Sequence, residues 1–429
     1  MPSFDLEEKA RRIRDTLVQA VLQAADPFAA VRRAHLPEGF TPRVLLATGK
    51  ASAPMVEAAL SRYSGSLERG AVTCIPEHEQ RLREALEPFP GVTVHPADHP
   101  LATERNRRAA EAIKGEAVRA SRDGATTIVL LSGGASAHLT SPAPPLSLDD
   151  LRQTTRALLR AGATIRQLNT VRKHIETLKG GGLARCLAPA PAHILVLSDV
   201  LGDPLDTIGS GPTAPDSSTV PDAQAVLDMF PDSGIPEAVR AFLDAVAIET
   251  PKPGDRCFET LQHTVIANNA AARSAAEHAL AQAGIPVVQS RGMVEGEASA
   301  VARELVNTLR EASPPAAVVF AGETTVTVGD APGIGGRNQE LALAAALEVE
   351  AIPNAIVFAF ATDGVDGPTD AAGALVTTRT AGMIRQTGLD PTAALARHDS
   401  HHALDAAGAL VRTGPTGTNI NDIAVAIRL

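Results

Sequence analysis

Apolar residues run together instead of alternating in eight segments of this chain: RVLLATG (43–49), AVTCIP (71–76), TTIVLLSGG (126–134), HILVLSDV (193–200), HTVIANN (263–269), IPVVQS (285–290), AVVFAGE (317–323) and AIVFAFATDG (355–364). Short continuous runs bounded by turn residues predict strands buried on both faces, the pattern of a parallel sheet. Stretches of helical period lie between many of them, for example 50–63 and 104–121. The recurring unit is apolar strand, glycine-containing turn and amphipathic helix, so the predicted class is α/β with layered helices. The final stretch, GPTGTNINDIAVAI (414–427), reads as a small-polar loop before one more apolar strand. The charged N-terminus predicts an amphipathic helix and not a signal peptide. Two prolines and a glycine in IETPKPGDRCF (248–258) interrupt the pattern, which predicts a boundary there. One sheet is then expected within 1–250 and a second within 258–429.

Composition narrows the function. Lys and Arg total 39 against 49 Asp and Glu, a net charge of −10, which argues against a nucleic-acid partner. Aromatic residues are only 3% of the chain, with Tyr63 the single tyrosine and no tryptophan, so stacking platforms are scarce. Cys74, Cys186 and Cys257 are widely separated, which excludes a zinc ribbon or disulfide framework. No apolar run approaches the ~18 residues of a membrane span. A soluble, cytoplasmic protein without a membrane partner is expected.

Ligands of open α/β sheets bind beyond the carboxyl ends of the strands, and five polar, glycine-rich segments stand there. In ATGKAS (47–52), Gly49 turns the chain and Lys50 opens a helix, a place where anions gather. A P-loop would need glycine at position 44, which is Val44. In LSGGASAHLTSP (131–142), Ser132, Gly133, Gly134 and Ser136 follow a strand, and successive amides there form an anion nest. In the stretch 165–185, Ile165, Leu168, Val171, Ile175 and Leu178 form one helical stripe. Asn169, Arg172, Glu176 and Lys179 form another, with Lys173 at its edge. The apolar stripe is expected to face a core and the basic one solvent or a cleft. In SDVLGDPLDTIGSGPTAPD (198–216), Asp199, Asp203 and Asp206 follow a strand and precede Gly211 and Thr213; carboxylates so clustered suit Mg²⁺. In the last group, Gly333, Gly335 and Gly336 lead into Arg337 at a helix start, well placed for phosphate or carboxylate. GIGGRN lacks the final glycine of a dinucleotide fingerprint, and Asp363, Asp366 and Asp370 do not fit an EF-hand loop. Cations beside glycine loops together with strand-end carboxylates are what phosphoryl transfer needs. No GxSxG or HExxH competes.

These segments together resemble the class II glycerate kinases, the glycerate 2-kinase family whose C-terminal half is the MOFRL domain. The resemblance is carried by SGGASA, NTVRKH with KGGGLA, SDVLGDP with SGPTAPD, GETTVTV, GGRNQE, TDGVDGPTDAAGA and TGPTGTN, spanning about 47–421. Where the family usually has SGGGSA and a small apolar residue, this chain has Ala135 and His138. The resemblance implies a Rossmann-like N-terminal domain, a C-terminal α/β MOFRL-type domain and an active site in the cleft between them. It implies ATP-dependent phosphorylation of D-glycerate to 2-phosphoglycerate with Mg²⁺, small-molecule partners, and a homo-oligomer as an allowed state. Lys50, Arg337 and Asp199 take the catalytic positions, with Asp199 and Asp203 as metal ligands. Substrate or nucleotide contacts fall on Ser132, Gly133, Gly134, Ser136, Asn169, Arg172, Lys173, Lys179, Gly211, Thr213, Glu323, Thr324, Gly335, Gly336 and Asp363. The alternative is an NAD(P)H-dependent hydroxypyruvate reductase, a label members of this family have carried; a non-catalytic ligand-binding regulator is a third reading. Hydride transfer needs a nicotinamide site, and no GxGxxG follows any strand.

Overall fold

The computed structural model describes residues 3–246, 249–329 and 333–429. The chain divides into two compact units, one of 27–198 and 203–266, the other of 1–26, 199–202 and 267–429. The unit containing residues 27–198 is built on six strands: β1 (Val44–Thr48), β2 (Arg69–Cys74), β3 (Val92–Pro96), β4 (Thr127–Leu131), β5 (Ala192–Leu197) and β6 (Leu261–Ala267). Their order is β3-β2-β1-β4-β5-β6, and the β3-β2-β1-β4-β5 pairings are parallel. β1, β2, β4 and β5 are buried at every residue, which is why they read as unbroken apolar runs. The strand order reverses direction between β1 and β4. That is the switch point at which an open parallel sheet leaves a crevice beyond its strand ends.

The other unit holds β7 (Val287–Val294), β8 (Ala316–Gly322), β9 (Ala355–Ala361), β10 (Gly373–Thr377), β11 (Leu410–Val411) and β12 (Asp422–Arg428), ordered β11-β10-β9-β12-β8-β7. Here the expectation of a parallel sheet fails. β7 and β8 are parallel, but β12 lies antiparallel between β8 and β9, and β10 is antiparallel to β9. Continuous hydrophobicity reports burial on two faces and not strand direction. Val318 and Phe320 of β8 join a core with helices Ala298–Glu311 and Arg337–Val349, while Ala317, Val319 and Ala321 are equally buried on the opposite face.

The expected boundary at 248–258 also moves. β6 completes the first sheet, with Ala192 N–H donating to Thr260 C=O ahead of it, so that unit runs to Ile266. The N-terminal helix Ser3–Ala25, predicted as amphipathic, belongs with the later residues because it packs on helix Asn269–Gln282. Part of the predicted linker, 247–248, lies outside the described residues. No described helix is long and apolar enough to cross a membrane.

Leu17 on the N-terminal helix is 1% exposed and lines a gap shared with Leu280 and Ala279. Leu17→Ala should cost about 2–5 kcal/mol, the loss of a buried leucine plus the cavity left behind. Chemical denaturation monitored by circular dichroism measures it; a change under 1 kcal/mol would detach this helix from the core.

Candidate functional site

Lys50 stands directly at the switch point. β1 ends at Thr48, Gly49 adopts φ +113, and helix Ser52–Tyr63 begins two residues after Lys50. The loop after β4 holds this turn. Lys50 N–H donates to Gly133 C=O (2.8 Å), and Ala51 N–H donates to Ser132 Oγ (3.1 Å). Gly49 has no room for a side chain: an added Cβ would lie 2.3 Å from Ser132 Oγ. Gly134, at φ +85, lets the Lys50 stem lie across it, because a Cβ there would come within 2.8 Å of Lys50 Cγ. Ser132, Gly133 and Gly134 are thus brought to Lys50, and the first two serve by shaping its turn.

His138 completes the support. It is fully buried, its Nδ1 accepts from Gly49 N–H (3.3 Å), and Thr73 Oγ1 lies 2.9 Å from the same nitrogen. An accepting Nδ1 places the ring proton on Nε2. Burial, followed by the charges of His99 and Lys50, pushes its pKa down to about 4. A neutral ring beside Lys50 adds no competing positive charge.

A second group lies in the same unit. Ser136 Oγ meets Ser210 Oγ (2.8 Å), Ser210 Oγ donates to Asn169 Oδ1 (3.1 Å), and Arg172 Nη2 donates to Ser136 C=O (3.0 Å). Ser136, Asn169 and Arg172 therefore converge, through a Ser210 that sequence reading had not selected; its φ of +63 is the unusual feature. The basic stripe does not face solvent as a unit. Helix Ile165–Ile175 stops before Glu176, which is extended, so Leu178 and Lys179 leave the helical register. Lys179 is 1% exposed and donates to Glu176 Oε2 (2.6 Å); burial pushes its pKa down to about 8 against Glu176. Lys173 is also buried and pairs with Asp216 (3.2 Å). Both form interior ion pairs, and Lys173 also lines a pocket with Asn169, Asp206 and Asp216. Of the apolar stripe, Leu168, Val171 and Ile175 enter a core while Ile165 is exposed. Thr213 is buried against His263 Nε2 (3.0 Å), and Gly211 packs on the Asp206 backbone; both contacts are structural.

In the other unit, β12 runs antiparallel, so its first residue meets the last residues of two neighbours: Asp422 registers with Gly322 of β8 and Ala361 of β9. Arg337, opening helix Arg337–Val349, donates from Nε to Asp422 Oδ2 (2.5 Å) and from Nη1 to Glu323 Oε1 (2.6 Å). The helix amides are also taken. Asn338 N–H and Gln339 N–H donate to the two oxygens of Asp366 (3.1 and 2.8 Å). The carboxylates expected from a ligand are supplied by the protein itself, through Asp366 and Asp422. Gly336 is glycine because a Cβ would lie 2.3 Å from Asp366 Cγ, and Gly335 because one would lie 2.1 Å from Ser400 Oγ. Both glycines serve packing.

Burial pushes the Asp366 and Asp422 carboxyls up, and Arg337 opposes this at Asp422. The Arg337 guanidinium is itself raised, since the two carboxylates outweigh its burial. Glu323 continues the network by accepting from Asn421 Nδ2 (3.1 Å), which also donates to Asp199 C=O (2.9 Å). Asn421 Oδ1 is buried with no partner, an omission that costs about 1–3 kcal/mol unless filled. Thr324 is buried beside Glu323, and Asp363 Oδ1 caps its own turn at Val365 N–H (3.1 Å). Asp199 and Asp203 fall in different units, Asp203 in a left-handed turn. Among the described residues, no three His, Cys, Asp or Glu side chains are arranged to hold a metal ion.

Residues 13–244 match the domain of unknown function DUF4147 and residues 316–422 match the MOFRL family. A D-glycerate 2-kinase of Thermotoga maritima is 36% identical over 98% of this chain and 99% of its own length. The chain belongs to the glycerate 2-kinase family. The crystal structure of a glycerate kinase from Thermotoga maritima superposes with a TM-score of 0.88 at 35% identity, covering 98% of this chain and 100% of the other. A putative hydroxypyruvate reductase of Agrobacterium vitis is 37% identical over 96% of this chain and 93% of its own length. The two-sheet α/β fold is therefore that of glycerate kinase structures, and the kinase resemblance read from the motifs holds along the whole chain.

Two outcomes follow from this geometry. His138, and likewise His263, also pushed down to about 4 by burial, are neutral when folded, whereas free histidine titrates near 6.5. Between those values the unfolded chain binds more protons, so stability falls as pH drops from about 6.5 toward 4, by up to about 1.4 kcal/mol per pH unit for each ring. Urea midpoints from pH 7 to pH 5 test this, and a flat profile would contradict it. Arg337→Ala should also destabilise the protein, by about 3 kcal/mol, because it leaves Asp422 buried without its counter-charge. The value sits at the low end for buried pairs, since the Arg337 side chain is 33% exposed. A wild-type melting temperature in this variant would rule out the counter-charge role.

Proposed function

We propose that this protein is a glycerate 2-kinase, transferring the terminal phosphoryl group of ATP to the 2-hydroxyl of D-glycerate. The observation that carries the reading is Lys50 at the switch point of a parallel sheet, on a turn held by the loop after β4. Such a cation, beside a helix start, stabilises charge on a transferring phosphoryl group. The strand order supports the finer description of this unit as Rossmann-like. The sequence of its first turn weighs against the reductase name that two relatives carry. A dinucleotide fingerprint would occupy the first strand-to-helix turn, which reads Gly49-Lys50-Ala51-Ser52-Ala53-Pro54. Ala51 and Pro54 stand where its second and third glycines belong.

In the mechanism we infer, Lys50 binds phosphate oxygens and gains most as charge builds in the transition state, so its effect falls on turnover more than on binding. Ser132, Gly133 and His138 orient its turn. Arg337 acts from the other unit by holding Glu323 and Asp422 in place, which gives it an organising role in addition to any contact with substrate. Mg²⁺ fits the available donors: it takes one or two carboxylates with substrate phosphates and water and needs no closed protein cage. Asp199 and Glu323 supply oxygen donors of that kind, and the ion when bound neutralises phosphate charge. The acidic, aromatic-poor composition suits a soluble cytoplasmic enzyme acting on small molecules.

Purified protein should consume ATP only with D-glycerate and Mg²⁺ both present, and enolase added without a mutase should convert the product to phosphoenolpyruvate. Lys50→Ala should lower kcat by roughly 10²–10³, about 2.7–4 kcal/mol, with an unchanged melting temperature. NADH oxidation with hydroxypyruvate faster than phosphorylation would overturn the assignment, and a wild-type kcat in Lys50→Ala would remove that residue from it.

A further inference from the structure

Asn421 occupies a left-handed backbone position, φ +65, immediately before β12. Asparagine tolerates this better than most residues, but at a cost. The surroundings hold it there. Asn421 C=O accepts from both Thr362 N–H (3.2 Å) and Thr362 Oγ1 (2.7 Å), and Asn421 N–H donates to Asn419 Oδ1 (3.0 Å). Ile420 N–H donates to the same Thr362 hydroxyl (2.9 Å). The residue is 3% exposed. Its Nδ2 serves two acceptors, Glu323 Oε2 and Asp199 C=O, which settles which way the amide points. Oδ1 is then an acceptor with no donor, buried one hydrogen bond away from the carboxylate that Arg337 grips.

We propose that Asn421 Oδ1 receives a hydrogen bond from a hydroxyl of the hydroxy-acid substrate, an inference that rests on the kinase reading. The chemistry of the acceptor makes the selection. Nucleotide phosphates and the acid's carboxylate carry only acceptors and cannot satisfy another acceptor. A hydroxyl can donate to it. The donors available are the hydroxyls of the acid, those of the ribose, and the adenine amine. An oxygen this deeply buried suits a three-carbon acid better than a nucleoside. A site that provides a fixed, otherwise unpaired acceptor discriminates strongly against an analogue lacking the matching donor. Asn421 is thus assigned as a specificity-determining residue for the acceptor substrate.

Asn421→Gly tests this, because glycine adopts the same backbone without strain. The variant should raise KM for D-glycerate at least tenfold, leave KM for ATP within twofold, and lose most of the thermal protection given by D-glycerate alone. D-lactate and 3-hydroxypropionate, each lacking one hydroxyl, identify the donor: the analogue without it should compete equally well in wild type and variant. Asn421→Asp sets a carboxylate oxygen against Glu323 Oε2 and Asp199 C=O, where Nδ2 donates in the wild type, and should lose the protection as well. Unchanged KM for D-glycerate, or a rise confined to ATP, overturns the proposal. Equal weakening of D-lactate and 3-hydroxypropionate in Asn421→Gly overturns it too, making the residue a support for Glu323. Failure of the wild type to phosphorylate D-glycerate would defeat the kinase reading instead, while the thermal-protection comparison would still decide this one.

Discussion

Arg337 donates to Asp422 and Glu323 from a helix whose first amides are already bound by Asp366. One guanidinium thereby balances an acidic sheet end in which Asp366 and Asp422 are almost wholly inaccessible to water. Desolvated carboxylates are tolerated only when paired and hydrogen-bonded, so the placement of β8, β9, β12 and the helix start all depend on this pairing. The antiparallel insertion of β12 makes it possible. A parallel strand in the same position would carry its first residue to the opposite end of the sheet, away from Glu323. The same insertion seats Asn421 beside Glu323.

The other unit uses its cation differently. Among the described residues, Lys50 forms no ion pair; its turn is held by Ser132, Gly133 and a neutral His138, none of which carries charge. A guanidinium locked between carboxylates is a poor first partner for a phosphate, because the incoming anion has to displace internal acids. A lysine held by neutral groups faces no such competition. Two cations that look equivalent as residues after glycine turns are thus held differently, one between carboxylates and the other on a turn fixed by neutral groups.

Much of this was legible in the chain. All eight apolar runs form strands, because burial on both sheet faces writes itself directly into residue type. Lys50 with Ser132–Gly134 was legible too, since strand-end glycine turns are local features. What could not be read was which distant residues would share a sheet end. Asp366 appeared only as part of a failed calcium-loop pattern and Asn421 as part of a polar loop, yet strand register brings both to Arg337 and Glu323. Lys179 shows the opposite error. Its helical spacing from Arg172 and Glu176 suggested a basic stripe facing solvent or a cleft, but the helix ends at Ile175, and the extended residue that follows redirects Lys179 into the interior.

That error bears on how charged motifs in such a chain are to be interpreted. Glycine next to a cation marks backbone that approaches something closely, and the partner need not be a ligand. At Gly134 the close neighbour is the Lys50 side chain; at Gly335 and Gly336 it is Ser400 and Asp366. The first arrangement shapes the path of a cation's side chain, and the second sets the protein's own carboxylate against a helix start. Local sequence is the same in kind for both. The distinction arises from whether the fold delivers an acidic residue to the turn, which is decided by the direction and register of strands far along the chain.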